Sequence, residues 1–211
     1  STPLAGVGGV LQGGVAVQLW KYSNSAFTSM FSTDLVFVGT REANPSSNAV
    51  YALNGNTGAI VWTFIPGNMD AVNSTPAVDL KNNVLWVTTL SNLGTQPSLW
   101  KIDTLNGFAT EAFNLGDVSG SPSLNGNGDV VYAVTDIGNL AAVRSDIVNC
   151  ANTFTTGATS GTGFPIPIGT GVLRDDYIFF TTTTAGASTV RKAHFVYNVT
   201  CGGETFVAAA G

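Results

Sequence analysis

The chain has 211 residues, enough for one ordinary domain or for part of a larger one. Only 10% of the residues are charged and the net charge is −5, so no basic stripe is available to bind nucleic acid or an anionic membrane surface. No run of about 18 apolar residues occurs, and we therefore expect no membrane span.

The predicted elements begin with the apolar stretch VAVQLWKY at residues 15–22, which has the character of an outer strand. Residues 25–32, SAFTSMFS, predict an innermost strand, and DLVFVGT from Asp34 predicts a second strand. NAVYALN from Asn48 and AIVWTF from Ala59 predict the third and fourth strands, joined by the tight turn GNTG. Because no window shows the apolar spacing of a helix, we predict an all-β chain.

Three further units repeat this order of strands. The second contains STPAVDL, NVLWVTT, SLWKID and FATEAF; the third contains SGSPSLNG, DVVYAVT, NLAAVRS and NCANTF; the fourth contains FPIPIGTG, DYIFFTT, VRKAHFVYN and ETFVAAA. The second-strand phrases start at residues 34, 83, 129 and 176, and each has an aromatic residue at its centre: Phe37, Trp86, Tyr132 and Phe179.

A repeat of roughly 47 residues with four strands per unit is typical of a β-propeller. We predict four blades of four antiparallel strands at about residues 23–68, 69–115, 116–158 and 159–211, preceded by a partial blade or closing strand at residues 1–22. The central aromatic residues are expected to lie between the sheets. The chain is either a single domain or a mature, processed or partial piece of a larger propeller.

Residues 50–62, VYALNGNTGAIVW, resemble the repeat of the quinoprotein (PQQ-like) β-propeller family. Ala52, Asn54, Thr57, Gly58 and Trp62 occupy the positions of the family pattern Ala-x-Asp-x-x-Thr-Gly-x-x-x-Trp, with asparagine in place of aspartate. The other units match it less well.

The resemblance implies that Trp62 packs against the neighbouring blade, with Thr57 and Gly58 in the turn before it. It assigns the same docking position to Trp20 in the partial blade. In the second unit Glu111 stands where the tryptophan would be. Most members of the family have more blades than are predicted here.

Cys150 and Cys201 occupy similar places in neighbouring units, just before the last strand. A disulfide requires Cα atoms within about 7 Å, which is less than the usual separation of such positions. Long loops before either cysteine could close that gap. The sequence leaves both a disulfide and two inert thiols open.

No constellation for catalysis, metal binding or cofactor binding is evident, so we predict none. Quinone-dependent members of the family use calcium and often adjacent cysteines, and this chain has no adjacent cysteines and only scattered carboxylates. His194 is the only histidine. Asp175 and Asp176 are expected to point to opposite faces of one strand, which argues against a paired acid/base site.

The favoured hypothesis is a non-catalytic scaffold for protein interaction in a secreted, cell-surface or periplasmic protein. Alternatives are a fragment of a PQQ-dependent redox protein and a carbohydrate-binding module that holds a glycan on exposed Trp86 or Trp100. The terminal strands at residues 15–22 and 204–210 are expected to pair with more of the same protein, with each other or with a partner.

Two segments match the N-glycosylation sequon, Asn73-Ser74-Thr75 and Asn198-Val199-Thr200. Proline at position 76 disfavours use of the first. The pattern is common by chance and matters only in a host that glycosylates such sites.

Overall fold

The computed structural model describes residues 9–91, 94–202 and 204–208. Within them the chain forms four antiparallel sheets of four strands. The first sheet contains β1 (Ala16–Gln18), β2 (Leu35–Gly39), β3 (Val50–Asn54) and β4 (Ile60–Phe64). The second contains β5 (Ala77–Asp79), β6 (Val84–Thr88), β7 (Leu99–Asp103) and β8 (Ala109–Phe113). The third contains β9 (Ser123–Leu124), β10 (Val130–Val134), β11 (Leu140–Arg144) and β12 (Ala151–Phe154). The fourth contains β13 (Ser160–Gly169), β14 (Asp175–Thr184), β15 (Ala187–Val196) and β16 (Thr205–Ala208).

Each sheet is a meander in which every strand pairs with its neighbours in sequence. The four repeated phrases form equivalent second strands, because the third strand meets each central aromatic residue in the same register. The opposing pairs are Phe37 with Ala52, Trp86 with Lys101, Tyr132 with Ala142, and Phe179 with Lys192. The prediction of an all-β propeller is therefore confirmed, and the sheets are called blades 1 to 4.

The innermost strands contact one another in series, β1 with β5, β5 with β9, and β9 with β13. Their backbones approach closely at Gly120, where an added Cβ atom would lie 1.8 Å from the carbonyl oxygen of Gly163. No larger residue fits at such a position without moving the neighbouring backbone. Glycine thus permits blades 3 and 4 to meet near the axis.

Apolar clusters fill the spaces between consecutive blades. Phe37, Leu85 and Ile102 belong to the cluster between blades 1 and 2, and Trp86 and Val131 to the one between blades 2 and 3. Blades 3 and 4 share a third cluster, which includes Tyr132, Ile178 and Phe195. The strands alternate their side chains between two faces, so each inner blade can pack against a neighbour on both sides.

The prediction of an innermost strand at residues 25–32 is wrong, as is the prediction that the chain has no helix. Ser25–Met30 form a short helix, α1, and the Asn24 side chain caps its N-terminus by accepting a hydrogen bond from Phe27 N at 3.1 Å. Phe27 is fully buried against the cluster between blades 1 and 2. Six residues are too few to display the period of a helix, so the cap and one anchor decide the local structure.

The interpretation of residues 15–22 as the outer strand of a preceding blade is wrong. β1 pairs with β2, with Val17 opposite Val36, and is the innermost strand of blade 1 rather than the outer strand of a preceding blade. Residues 1–8 lie outside the described residues. The apolar alternation around Val17 indicates a strand, but it contains no information about which strand is its partner.

The strands of blades 2, 3 and 4 fall inside residues 69–115, 116–158 and 159–211. β16 pairs with β15 through residues 205–208, whereas residues 209 and 210 of the predicted terminal strand lie outside the described residues. In the described part of the chain, no helix is long and apolar enough to cross a membrane.

Candidate functional site

Trp62 in β4 connects blade 1 to blade 2. Its indole Nε1 donates a hydrogen bond to the carbonyl oxygen of Thr104 at 2.9 Å, and the side chain is buried. Its ring lies over Gly107, where an added Cβ atom would be 2.7 Å from the ring. Gly107 also has a φ of +75°, a conformation that favours glycine. These contacts have the geometry of a blade-docking residue.

Thr57 and Gly58 form the turn between β3 and β4. The Asn54 side-chain oxygen accepts a hydrogen bond from Thr57 N at 3.0 Å, and Gly58 N donates to Asn54 O at 2.8 Å. Blade 2 has the same turn, in which Gly107 N donates to Asp103 O at 2.8 Å. The turn residues of one blade therefore build the surface on which a tryptophan of the preceding blade rests.

Trp20 makes different contacts from those that the resemblance implies. It lies in a 3-10 turn, Trp20–Tyr22, that follows β1. Its Nε1 donates to Phe31 O at 2.6 Å and its backbone N donates to Asp34 Oδ1 at 2.7 Å. Both contacts lie within blade 1, because β1 is the innermost strand and Trp20 is far from an outer edge. The assignment of Trp20 as a blade-docking residue is thus a misreading of the strand order.

Glu111 replaces the missing tryptophan of blade 2, a role that sequence reasoning missed. Its carboxylate accepts a hydrogen bond from Asn149 N of blade 3 at 2.7 Å and pairs with Lys101 at 2.7 Å. Asn149 has a φ of +56° and sits where blade 2 has Gly107. In both blades the outer strand thus contacts the residue with positive φ in the next blade. The Trp62 indole ring contacts Gly107, and the Glu111 carboxylate contacts Asn149.

Cys150 and Cys201 form a disulfide between blades 3 and 4, with their Cα atoms 5.7 Å apart. The chain after β15 turns toward blade 3, where the carbonyl oxygen of Asn198 accepts a hydrogen bond from Arg144 Nη1 at 2.6 Å. This contact closes the gap that equivalent positions in neighbouring blades usually leave. The adjacent Glu204 carboxylate cannot complete a metal site with the two sulfur atoms, since they are bonded to each other.

A buried polar cluster joins blades 3 and 4. Tyr132 OH donates to Asp176 Oδ2 at 2.8 Å, and Asn125 Nδ2 donates to the same oxygen at 3.0 Å. Tyr197 OH donates to Asp129 at 3.0 Å. Burial, reinforced by the nearby Asp176 carboxylate, raises the pKa of Tyr132, so this tyrosine stays protonated and acts as a donor. The arrangement holds two blades in register and needs no titration at neutral pH.

Burial also raises the pKa of Asp176, although hydrogen bonds from Tyr132 and Asn125 act in the opposite direction. A carboxyl group with a raised pKa contributes stability that is fully present below its unfolded pKa and is lost as pH rises through its folded pKa. We predict that the wild type gains stability relative to Asp176→Asn as pH falls from 7 toward 4. Urea denaturation of both proteins across this range tests it, and a difference that is constant or grows with pH would contradict it.

The tryptophans proposed to hold a glycan are inaccessible. Trp86 is fully buried between blades 2 and 3, and Trp100 is 4% exposed in the cluster between blades 1 and 2. Stacking of a sugar requires an exposed ring face, so neither residue can provide it in the folded chain. Sequence reasoning could not separate an exposed aromatic residue from a core one in strands that are covered on both faces.

Asp175 and Asp176 point to opposite faces of β14. Asp175 pairs with His194, whereas Asp176 is buried against blade 3. A separate cavity of about 440 Å³ near the axis is lined by Asp136 together with Ser119, Ser121 and Ser160. Asp136 is occupied by hydrogen bonds from the Ser119 backbone and hydroxyl. These carboxylates lie in three separate environments and do not form an acid/base pair.

The face of blade 4 that points away from blade 3 is exposed. Along β14, Asp176, Ile178 and Phe180 are buried against blade 3, while the alternate residues Tyr177 and Phe179 point the other way and are only half-buried. We define this outward face by Ile166, Ile168, Tyr177, Phe179, Val190, Lys192, His194 and Val196. The prediction that Phe179 lies between sheets is wrong, because no described blade packs on this side.

The outward face repeats the pattern of a buried interface. By strand register, its residues Tyr177, Phe179, Val190, Lys192 and His194 match residues of blade 3 that face blade 4. The matching residues of blade 3 are Val130, Tyr132, Leu140, Ala142 and Arg144, and all of them are fully buried. In contrast, Ile166, Ile168 and Val190 of the outward face are 49%, 51% and 69% exposed. The outward face thus leaves exposed the apolar positions that blade 3 buries against blade 4.

Lys192 on the outward face corresponds to Lys101 of blade 2, which contacts the next blade. In blade 2 the equivalent Lys101 lies over the Trp86 ring and donates to Ser145 O of blade 3 at 2.8 Å. Lys192 lies over the ring of Tyr177, with Nζ 3.9 Å from its centroid. Among the described residues, no oxygen accepts a hydrogen bond from Lys192 Nζ. The outward face thus presents one cation suited to a carbonyl or carboxylate oxygen.

Comparison with solved structures shows the β-propeller fold. The chain is similar to Saccharomyces cerevisiae Sqt1, with 16% identity, a TM-score of 0.59, and coverage of 84% of this chain and 44% of that one. It is also similar to Kuenenia stuttgartiensis hydrazine synthase, with 9% identity, a TM-score of 0.53, and coverage of 82% and 50%. The chain spans about half the length of these structures. No protein-family model and no curated protein matches it.

Proposed function

We propose that the chain is a non-catalytic β-propeller scaffold whose binding surface is the outward face of blade 4. The observation that carries the proposal is the repetition of a blade interface on an exposed sheet. The occupant is a further propeller blade, a four-stranded sheet with branched aliphatic side chains and an oxygen acceptor for Lys192. Blades 1 to 3 each bury the corresponding face against the next blade of the same kind.

We also propose that the blades are PQQ-like repeats. The residues that carry the resemblance act together in this fold, since Asn54, Thr57 and Gly58 shape one turn and Trp62 docks on the equivalent turn of blade 2. Blade 2 keeps the turn and substitutes Glu111 for the tryptophan. These contacts support the repeat type.

The proposed location is extracellular or in the cell envelope, as a secreted, cell-surface or periplasmic protein. The disulfide between Cys150 and Cys201 supports it, because such bonds persist in oxidising compartments. The low proportion of charged residues is consistent with the same location. Free thiols at both positions in protein isolated from its source would overturn this part of the proposal.

Thiol accessibility tests the docking surface. Val190→Cys places a thiol on the outward face, and Phe108→Cys places one on the rim of blade 2, where the parent residues are 69% and 72% exposed. In the isolated chain both thiols should be alkylated at similar rates. In the native assembly we expect alkylation at position 190 to slow at least about tenfold, since docking would bury it, while position 108 is unaffected.

A thiol-directed cross-linker at position 190 then identifies the neighbour by mass spectrometry. A cross-link to a β-sheet of the same protein, of a second copy or of another chain would support the proposal. Equal reactivity of position 190 in the assembly and in the isolated chain would overturn it, as would a cross-link to a partner that has no β-sheet.

A further inference from the structure

The two glycosylation sequons lie in very different environments. We propose that Asn198 is an N-glycan acceptor when the chain folds in a secretory compartment, and that Asn73 is not. This inference concerns a covalent modification rather than docking, and it rests on the proposed extracellular location.

Asn198 has the exposure and the local structure that an acceptor requires. It lies just after β15 in a segment without regular structure, and Asn198, Val199 and Thr200 are all exposed. Its carbonyl oxygen is held by Arg144 Nη1 at 2.6 Å, and Cys201 anchors the following residues to blade 3. The backbone is therefore fixed at both sides of the sequon, while the acceptor side chain belongs to an exposed residue.

Asn73 is less accessible than Asn198. Its side-chain oxygen is buried and the residue is only partly exposed. The neighbouring Ser74 is 2% exposed and donates to Thr88 O at 3.0 Å. Gly14 lies so close that an added Cβ atom there would be 2.1 Å from Thr75 Oγ1. A glycan at Asn73 would therefore separate blade 1 from blade 2 near the axis.

The chemistry is a group transfer from a lipid pyrophosphate-linked oligosaccharide. A bond forms between Asn198 Nδ2 and the anomeric carbon of the sugar, and the bond from that carbon to the pyrophosphate oxygen breaks. The lipid pyrophosphate leaves with the bonding electron pair, and the amide nitrogen loses one proton to a base of the transferase. The hydroxyl of Thr200 completes the recognition sequence.

Secretion of the full chain from a eukaryotic cell, followed by mass measurement before and after peptide N-glycosidase treatment, tests the proposal. The wild type should carry one glycan and lose it on treatment. Asn198→Gln and Thr200→Ala should be secreted without it, whereas Thr200→Ser should retain it. Thr75→Ala, which removes only the first sequon, should keep the glycan of the wild type. Alkylation of free thiols confirms that each variant retains the disulfide.

A secreted wild type without a glycan, or with one at Asn73, would overturn the inference. Since the cell supplies the compartment, neither result bears on the scaffold proposal, which depends on the accessibility of position 190. The location proposal is likewise tested separately, by the state of Cys150 and Cys201 in protein from its source.

Discussion

Replacement of Trp62 by alanine is expected to lower the free energy of unfolding by about 3–5 kcal/mol, the range for removal of a buried aromatic side chain. The change empties the space over Gly107 and leaves Thr104 O without its indole donor. Because Trp62 connects blades 1 and 2, the loss should appear in the global transition. Equilibrium urea denaturation, followed by circular dichroism, measures it.

Two further variants separate the contribution of the Trp62 ring from that of its hydrogen bond and provide a control for the loss of an exposed aromatic residue. Trp62→Phe keeps a ring over Gly107 and removes the indole N–H, so its cost should be closer to the roughly 1 kcal/mol of one hydrogen bond. Phe108→Ala removes an aromatic side chain that is 72% exposed and should change stability by less than about 0.5 kcal/mol. A loss below about 1 kcal/mol for Trp62→Ala would show that Trp62 does not hold the blades together.

Arg144→Met should cost about 3–5 kcal/mol, since it breaks a buried ion pair and leaves a carboxylate uncompensated. Arg144 has no exposed surface, and it contacts Asp146 at 2.7 Å and Glu204 at 3.7 Å. Burial alone would lower the pKa of Arg144, but the hydrogen-bonded Asp146 carboxylate, together with Asp129 and Tyr197, outweighs burial and the net shift is upward. The guanidinium also lies 4.7 Å from the Tyr197 ring, so blade 4 loses a second contact.

The same denaturation experiment on Arg144→Met with Glu204→Gln tests the cause of this loss. The double variant should be more stable than Arg144→Met alone, because the glutamine places no charge beside the methionine. Arg41→Met removes an exposed arginine and should have little effect. If the double variant is no more stable than the single one, the buried Glu204 carboxylate is not the source of the loss.

The second strands could be predicted because their information is local. A short run rich in β-branched and aromatic residues, bounded by Asp or Asn on one side and Thr on the other, predicts β2, β6, β10 and β14 at any place in the chain. The turn after Asn54 is equally local, since Thr57 N and Gly58 N both donate hydrogen bonds to Asn54. These elements therefore agree between sequence and structure.

The elements that sequence reasoning misassigned depend on contacts made elsewhere. α1 owes its position to the burial of Phe27 between two blades, and β1 owes its place to pairing with β2. Neither partner can be identified from the residues of the segment itself. Because β1 is the first strand of blade 1 and not the last strand of a preceding blade, Trp20 lies in a 3-10 turn and not at a docking position.

The sequence by itself determined the repeat, the all-β class and the turn geometry of this protein, because strand period and turn chemistry act over a few residues. Only the tertiary structure decided which faces are covered. It buries Trp86 and leaves Phe179 partly open, although both occupy the same position in the repeat. It also joins Cys150 to Cys201 and buries the side-chain oxygen of Asn73 while Asn198 stays exposed. Burial depends on residues that are distant in sequence. The second strands of blades 1 to 3 are each covered by the next blade, whereas no described blade covers the second strand of blade 4.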